Sequence, residues 1–187
     1  MEAKNAKEEV QIFSDGSVLK GKVGVAAVLI HKGRHTQTLH YHLRLEEEHT
    51  VHEVELVGIL LGLHILNSRK SKKAMAAIRV DNQAAIKAFM SDLRNPGHHL
   101  MREALRIASK ISKERKKGSK INHALTIRWT AGHEGIEGNK LVDREAKEAA
   151  KGCISDIKLL PCYLRKPVLT NSSIVKKVHN ESLAKEW

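Results

Sequence analysis

Between Val54 and Asn67 the chain is apolar on nearly every helical face, with Leu56, Ile59, Leu60, Leu63 and Leu66 recurring at spacings of three and four. A helix of that kind belongs inside a protein rather than on its surface. Its one acidic residue, Glu55, is therefore carried inward, and a carboxylate in apolar surroundings is costly unless it is paired or binds a cation. Glu55 is for that reason a candidate site residue. Just upstream, Thr50-Val51-His52-Glu53 has the spacing of a capping box, which gives Thr50 and Glu53 a structural task at the helix start.

The flanking sequence predicts a sheet for this helix to cover. Val10 to Ser14 reads as a buried strand that delivers Asp15 to its tip before Gly16 and Ser17 turn the chain. Val23 to Ile30 is a continuous apolar run, ended by Lys32-Gly33, and makes a hairpin with the first strand. From His35 to Leu45, Leu39, Tyr41, Leu43 and Leu45 alternate with His40, His42 and Arg44, the period of a third antiparallel strand with one face buried and one wet. Ala76 to Val80 reads as a fourth strand that stops at Asp81-Asn82, with Ala84 to Met90 helical after it. Leu100, Ala104, Ile107, Ala108 and Ile111 mark an amphipathic helix that runs into the basic stretch 113–118. Leu125, Ile127 and Trp129 alternate with Thr126, Arg128 and Thr130 as a fifth strand. A Gly-rich loop, 131–138, then leads to a helix from about Asn139 to Lys151, opened by Asp143 and buried through Val142, Ala146 and Ala149. Strand, helix and strand in succession imply a parallel crossover. The order predicts an α/β domain: a five-stranded mixed sheet, three antiparallel strands then two parallel, with helices on both faces.

A chain of 187 residues suffices for one such domain with some length to spare. We expect residues 1–9 to be a tail, 10–151 the domain, and 152–187 a Pro-punctuated arm ending in a helix from Ser172 to Trp187. That ending suits either a piece of a longer polypeptide or a complete protein. A formal charge of +12 favours a polyanionic partner. Cys153 and Cys162 match neither a disulfide framework nor a zinc pattern. No apolar run approaches the roughly 20 residues of a membrane span, which predicts a soluble, intracellular protein with no membrane partner, cytoplasmic or nuclear.

Four carboxylates, Asp15, Glu55, Asp81 and Asp143, fall near the beginnings or ends of elements. Each has an ordinary alternative: a turn for Asp15-Gly16, a helix cap for Asp81-Asn82, a favourable dipole position for Asp143. His133, in the Gly-bounded loop, could be an ordinary loop histidine. In a mixed sheet, however, the crevice beyond the ends of parallel strands is where sites form. If the strands carrying Asp15 and Asp81 are neighbours, their carboxylates meet. Crowded acids raise one another's pKa unless divalent cations turn the repulsion into coordination. Oxygen donors of this kind suit Mg²⁺ or Mn²⁺.

The residues Asp15-Gly16-Ser17, Glu55-Leu56, Asp81-Asn82 and the segment from Gly132-His133-Glu134-Gly135 through Asp143-Arg144-Glu145-Ala146-Lys147 resemble type 1 ribonuclease H over about Val10 to Lys151. The wording of the last segment, with the Leu-Pro and Leu-Arg-Lys-Pro phrases of the arm, is most similar to ribonuclease H domains of eukaryotic, fungal-type retroelement reverse transcriptases. The resemblance implies a ribonuclease-H-like fold and hydrolysis of the RNA strand of RNA/DNA hybrids by two Mg²⁺ ions, with Mn²⁺ able to substitute, leaving 5′-phosphate ends. It implies that Asp15 bridges both metals, that Asp143 completes the site of the water-activating ion, and that Glu55 with Asp81 holds the ion on the leaving-group side. His133 would assist proton transfer or product release. Gly16, Ser17, Asn82 and Gln83 resemble substrate positions, several of them reading RNA 2′-hydroxyls, and Thr50 resembles a contact to the DNA phosphate. A monomer, in some settings joined to a reverse transcriptase domain, is the implied assembly. Two departures stand out: Val51-His52 replace a common Asn pair, and Glu48 stands where cellular enzymes carry an Arg. A basic insertion of some relatives is also missing, since only residues 91–99 precede the next helix. These predict weaker hybrid grip, partly offset by Lys70, Lys72, Lys73 and the cluster 113–120.

Overall fold

The computed structural model describes residues 8–69, 74–81, 97–117, 125–130 and 136–168. Five strands, β1 (Val10–Leu19), β2 (Lys22–His31), β3 (Arg34–Leu45), β4 (Ala76–Val80) and β5 (Leu125–Trp129), form one sheet in the order β3-β2-β1-β4-β5. The β3, β2 and β1 pairings are antiparallel, whereas β1–β4 and β4–β5 are parallel. Helix α1 (Val51–Ser68) covers one face, with α2 (His98–Lys117) behind it, and α3 (Glu137–Ala150) covers the other. The mixed sheet, its three-plus-two division and the helices on both faces are as the residue patterns predict.

Strand β2 reads as an unbroken apolar run because both its faces are covered. Val23, Val25, Ala27 and Leu29 enter the larger core beneath α1, while Ala26 and Val28 pack with Phe13, Val142 and Ala146 beneath α3. The histidine face of β3 is not simply wet. His40 Nε2 lies 2.8 Å from Glu145 Oε2, and His42 Nδ1 is 3.0 Å from the carbonyl oxygen of Ala149, so both rings are half-buried against α3.

Helix α1 is long and apolar enough, by composition alone, to cross a bilayer, a property the apolar-run count did not register. It lies instead between the sheet and α2, with most of its length buried. Two glycines set its height. A Cβ on Gly58 would stand 3.1 Å from the Ser14 Cβ, and one on Gly62 would stand 3.0 Å from Ile12 Cγ2. This one-turn spacing of small residues lets the helix rest directly on β1.

Strand β1 differs from its expected form. It does not end at Asp15: pairing with β2 runs on through Leu19↔Lys22, and the turn falls at Lys20 and Gly21, both at positive φ. Only the parallel partner stops, at Ser14↔Val80. Helix α3 likewise begins at Glu137, so Asp143 lies almost two turns inside it rather than at its opening. Trp129, expected to share the face of Leu125 and Ile127, is 45% exposed, and Thr130 is buried instead. Beyond α3, Leu160 and Leu164 of the arm enter the larger core. Glu8, placed by sequence in a tail, is buried too. The expected helices at 84–90 and 172–187 lie outside the described residues.

Candidate active site

The site forms where one strand loses a neighbour. Parallel pairing of β1 with β4 ends at Ser14 and Val80, so the next residue on each strand, Asp15 and Asp81, stands at the lip of the crevice. Side chains alternate along a strand. Ser14 faces Gly58 of α1, and Asp15 accordingly points to the α3 side with Phe13. Glu55 arrives from α1, one turn before Gly58, and the close seat of that helix on β1 brings it to the same lip. Carboxylate oxygens of Asp15, Glu55 and Asp81 come within 4.8 Å of one another. Asp15 is half-buried, Glu55 buried and Asp81 exposed.

Electrostatics register the crowding. Burial lifts the Asp15 carboxyl from an ordinary 3.8 to about 7, and Asp81 and Asp143 add to the rise. The Gly16 N–H, which donates to Asp15 Oδ1 at 2.8 Å, and the Lys147 ammonium pull in the opposite direction. A set of oxygen donors whose burial, with mutual repulsion added, holds a proton near neutrality fits a hard divalent cation, which would replace that proton with a stronger charge. Asp143 is not part of the close group of three. Its Oδ2 accepts from Lys147 Nζ at 2.7 Å, one turn along α3.

A model of the RNase H family matches residues 7–151. The chain belongs to the RNase H family.

Solved structures agree with this RNase H chain in fold. It superposes on the N-terminal RNase H domain of a Mycobacterium tuberculosis protein at a TM-score of 0.57, with 18% identity over 75% of this chain and 98% of that one. A structure of LC11-RNase H1 in complex with RNA/DNA hybrid, a protein isolated from compost, gives 0.56 at 16% identity, covering 76% and 97%. The RNase H domain of prototype foamy virus gives 0.58 at 15% identity, covering 79% and 97%. No curated protein sequence matches the chain.

Of the other predicted site residues, Thr50 is the N-cap of α1. Its Oγ1 accepts from the Glu53 N–H at 3.2 Å, and its own N–H donates to Glu53 Oε2 at 2.9 Å, completing the capping box. Gly16 has a packing role the sequence reading did not assign: a Cβ there would drive into the side chain of Val54. Ser17 is half-buried on β1. Asn82, Gln83 and His133 lie outside the described residues, as do Lys70, Lys72 and Lys73 of the basic loop.

Two residues that the RNase H motif reading passed over touch this site. Lys147 carries no role in the motif, although its i+4 spacing from Asp143 is a readable ion-pair signal. Trp129 closes the other side, its indole N–H donating to the backbone oxygen of Asp81 at 2.8 Å. Nothing in local periodicity marks that bond.

Proposed function

We propose that this chain is a divalent-metal-dependent endoribonuclease that hydrolyses the RNA strand of RNA/DNA hybrids, leaving 5′-phosphate and 3′-hydroxyl ends. The observation that carries the reading is the meeting of Asp15, Glu55 and Asp81 within 4.8 Å at the end of the parallel pair, in a chain of the RNase H family. Support for the substrate comes from relatives of the same fold: LC11-RNase H1 and a foamy viral protease-reverse transcriptase were both solved with RNA/DNA hybrid. The charge of +12 suits such a polyanion.

Two Mg²⁺ ions, with Mn²⁺ as a substitute, would supply the clamp on the attacking and leaving oxygens of an in-line displacement. Asp15, whose carboxyl feels both Asp81 and Asp143, would serve both positions. Glu55 and Asp81 would serve the leaving-group side and Asp143 the side of the attacking water. His133 would move a proton at its imidazole near neutral pH. Gly16, Ser17, Asn82 and Gln83 would present groups to the RNA strand, and the Thr50 end of α1 would face a DNA phosphate. As partner and setting, we propose a reverse transcriptase of a retroelement, within a cell, with the RNase H unit itself monomeric; for the reverse transcriptase alone, support comes from the shared fold of the foamy viral RNase H domain and protease-reverse transcriptase.

The test is one cleavage gel with labelled RNA/DNA hybrid, duplex RNA and duplex DNA in Mg²⁺. Cutting of the RNA strand in the hybrid alone is expected, and its loss in Asp81→Asn. Full cleavage by Asp81→Asn would refute the reading. Salt-sensitive hybrid binding with no turnover in Mg²⁺ or Mn²⁺ would instead select a non-catalytic binding module, the reading favoured by Val51, His52 and Glu48.

A further inference from the structure

Lys147 stands where a cation is expected. Its Nζ is 2.7 Å from Asp143 Oδ2, both side chains are about half exposed, and its charge also reaches Asp15, whose carboxyl it pulls down. Asp143 meanwhile stays outside the trio whose oxygens lie within 4.8 Å of one another. A Lys side chain is a compact charge on a flexible four-carbon stem. Exposed pairs of this kind are weak and readily exchanged. A divalent ion that used Asp143 together with Asp15 would have to meet or displace this ammonium, since two cations repel at such a distance.

We propose that Lys147 is the exchangeable counter-ion of Asp143: it holds the fourth carboxylate while no divalent ion is bound there and gives it up when one arrives. The inference rests on the functional reading above and deepens it. Its consequence is a threshold. The ion that uses Asp143 binds more weakly than the one held by the close trio, and the gap between the two steps is set partly by Lys147. A bound hybrid would favour the exchange, because its phosphates offer the released ammonium another anion. Lys147 is thus a positioning residue that tunes metal demand rather than a group that reacts.

Mn²⁺ alone, titrated calorimetrically into the protein without nucleic acid, reads the effect directly, and melting temperature against Mg²⁺ concentration gives a second readout. Lys147→Met should lower the midpoint of the weaker binding step about three- to tenfold, the size expected from removing one partly screened charge beside a divalent ion. Lys147→Arg, which keeps the charge, should leave that midpoint near or above the wild-type value. Lys151→Met, one turn further along and paired with Glu148, should move it less than twofold. An unchanged or raised midpoint in Lys147→Met overturns the inference, and so does an equal shift in Lys151→Met, which would mean a general field and no specific exchange. If the wild type cuts hybrids and Lys147→Met binds Mn²⁺ as the wild type does, this inference alone fails. If the wild type neither cuts hybrids nor binds a divalent ion, the functional reading fails with it; if it cuts hybrids yet shows no weaker Mn²⁺ step, this inference alone fails.

Discussion

The indole N–H of Trp129 donates to the backbone oxygen of Asp81 at 2.8 Å, joining the last residue of β5 to the first residue beyond β4. The ring is 45% exposed, so the residue contributes little to the core. Its bond instead fixes the chain where the Asp81 carboxylate leaves the sheet. Trp129→Phe keeps an aromatic ring and removes the donor. A net hydrogen bond of about 0.5–1.5 kcal/mol sets the expected loss of stability, and the loosened Asp81 backbone predicts in addition a fall in kcat of up to roughly tenfold, the same energy placed on the barrier. Steady-state cleavage of hybrid beside a thermal melt checks it. A loss of stability with kcat unchanged would assign Trp129 to the fold alone.

The raised pKa of Asp15 has a sign that stability measurements can read. In the folded chain the carboxyl titrates at about 7 and has an ordinary value of 3.8. Between those values the folded state binds the extra proton, so stability falls as pH rises through the window. Relative to Asp15→Asn, metal-free protein should keep its stability below about pH 4 and lose it progressively toward pH 7. Melts in chelator across that range, for wild type and Asp15→Asn, measure the difference. Above pH 7, Asp15→Asn should be the more stable protein without metal, and Mg²⁺ should restore wild type while leaving the variant unmoved. Parallel curves for the two proteins would contradict the burial and crowding that raise this group.

Gly16 and Val54 form a steric pair that places Glu55. A Cβ on residue 16 would enter the Val54 side chain, pushing the start of α1 away from β1. Overpacking of this kind costs about 1–3 kcal/mol. Gly16→Ala should therefore destabilise by that amount in urea unfolding, and Val54→Ala, which empties the same space, should recover part of it. A coupling energy of at least about 0.5 kcal/mol is expected in the double-mutant cycle. Cleavage should fall in Gly16→Ala and partly return in the double variant, since Glu55 follows Val54. Simple additivity would show that Gly16 matters for substrate access and not for the seat of the helix.

What could be read from the residues followed from periodicity. The apolar run of β2, the alternation in β3 and the all-round apolar face of α1 announce which sides are covered, and three of the four carboxylates fall together as their positions suggest. What could not be read depends on where neighbours stop. Asp15 reads as a strand end because the apolar run stops at Ser14 and Gly16-Ser17 reads as a turn, yet β1 continues to Leu19 along β2 and only β4 departs. That asymmetry is a property of two strands, invisible in either. The Gly58 and Gly62 stripe was readable, since small residues one turn apart signal close approach, but it was subsumed in a count of apolar residues. The Trp129 bond to Asp81 joins residues 48 apart, beyond any local pattern.

Glu8 extends this point to the domain boundary. Its side chain is 3% exposed, with Oε1 2.9 Å from Arg128 and Oε2 3.7 Å from the equally buried Arg79. Arg79 also donates to Thr130 Oγ1 and lies over the Phe13 ring, 5.9 Å from its centre. Thr130 in turn bonds through its N–H to Val80, so this ion cluster ties the chain before β1 to the ends of β4 and β5. Removing one member of a buried ion pair costs about 3–5 kcal/mol where nothing else meets the remaining charge. Because Arg79 keeps Thr130 and Phe13, Glu8→Gln should cost about 2–4 kcal/mol in urea unfolding. Glu9, whose pair with Lys32 is exposed, is the control, and Glu9→Gln should stay within about 0.5 kcal/mol. Deleting residues 1–9, which also removes the Glu9 carbonyl that accepts from the Lys32 N–H at 2.9 Å, should then destabilise at least as much as Glu8→Gln does. Tolerance of that deletion would show that the domain begins at Val10 and that the Glu8 cluster contributes nothing to holding it together.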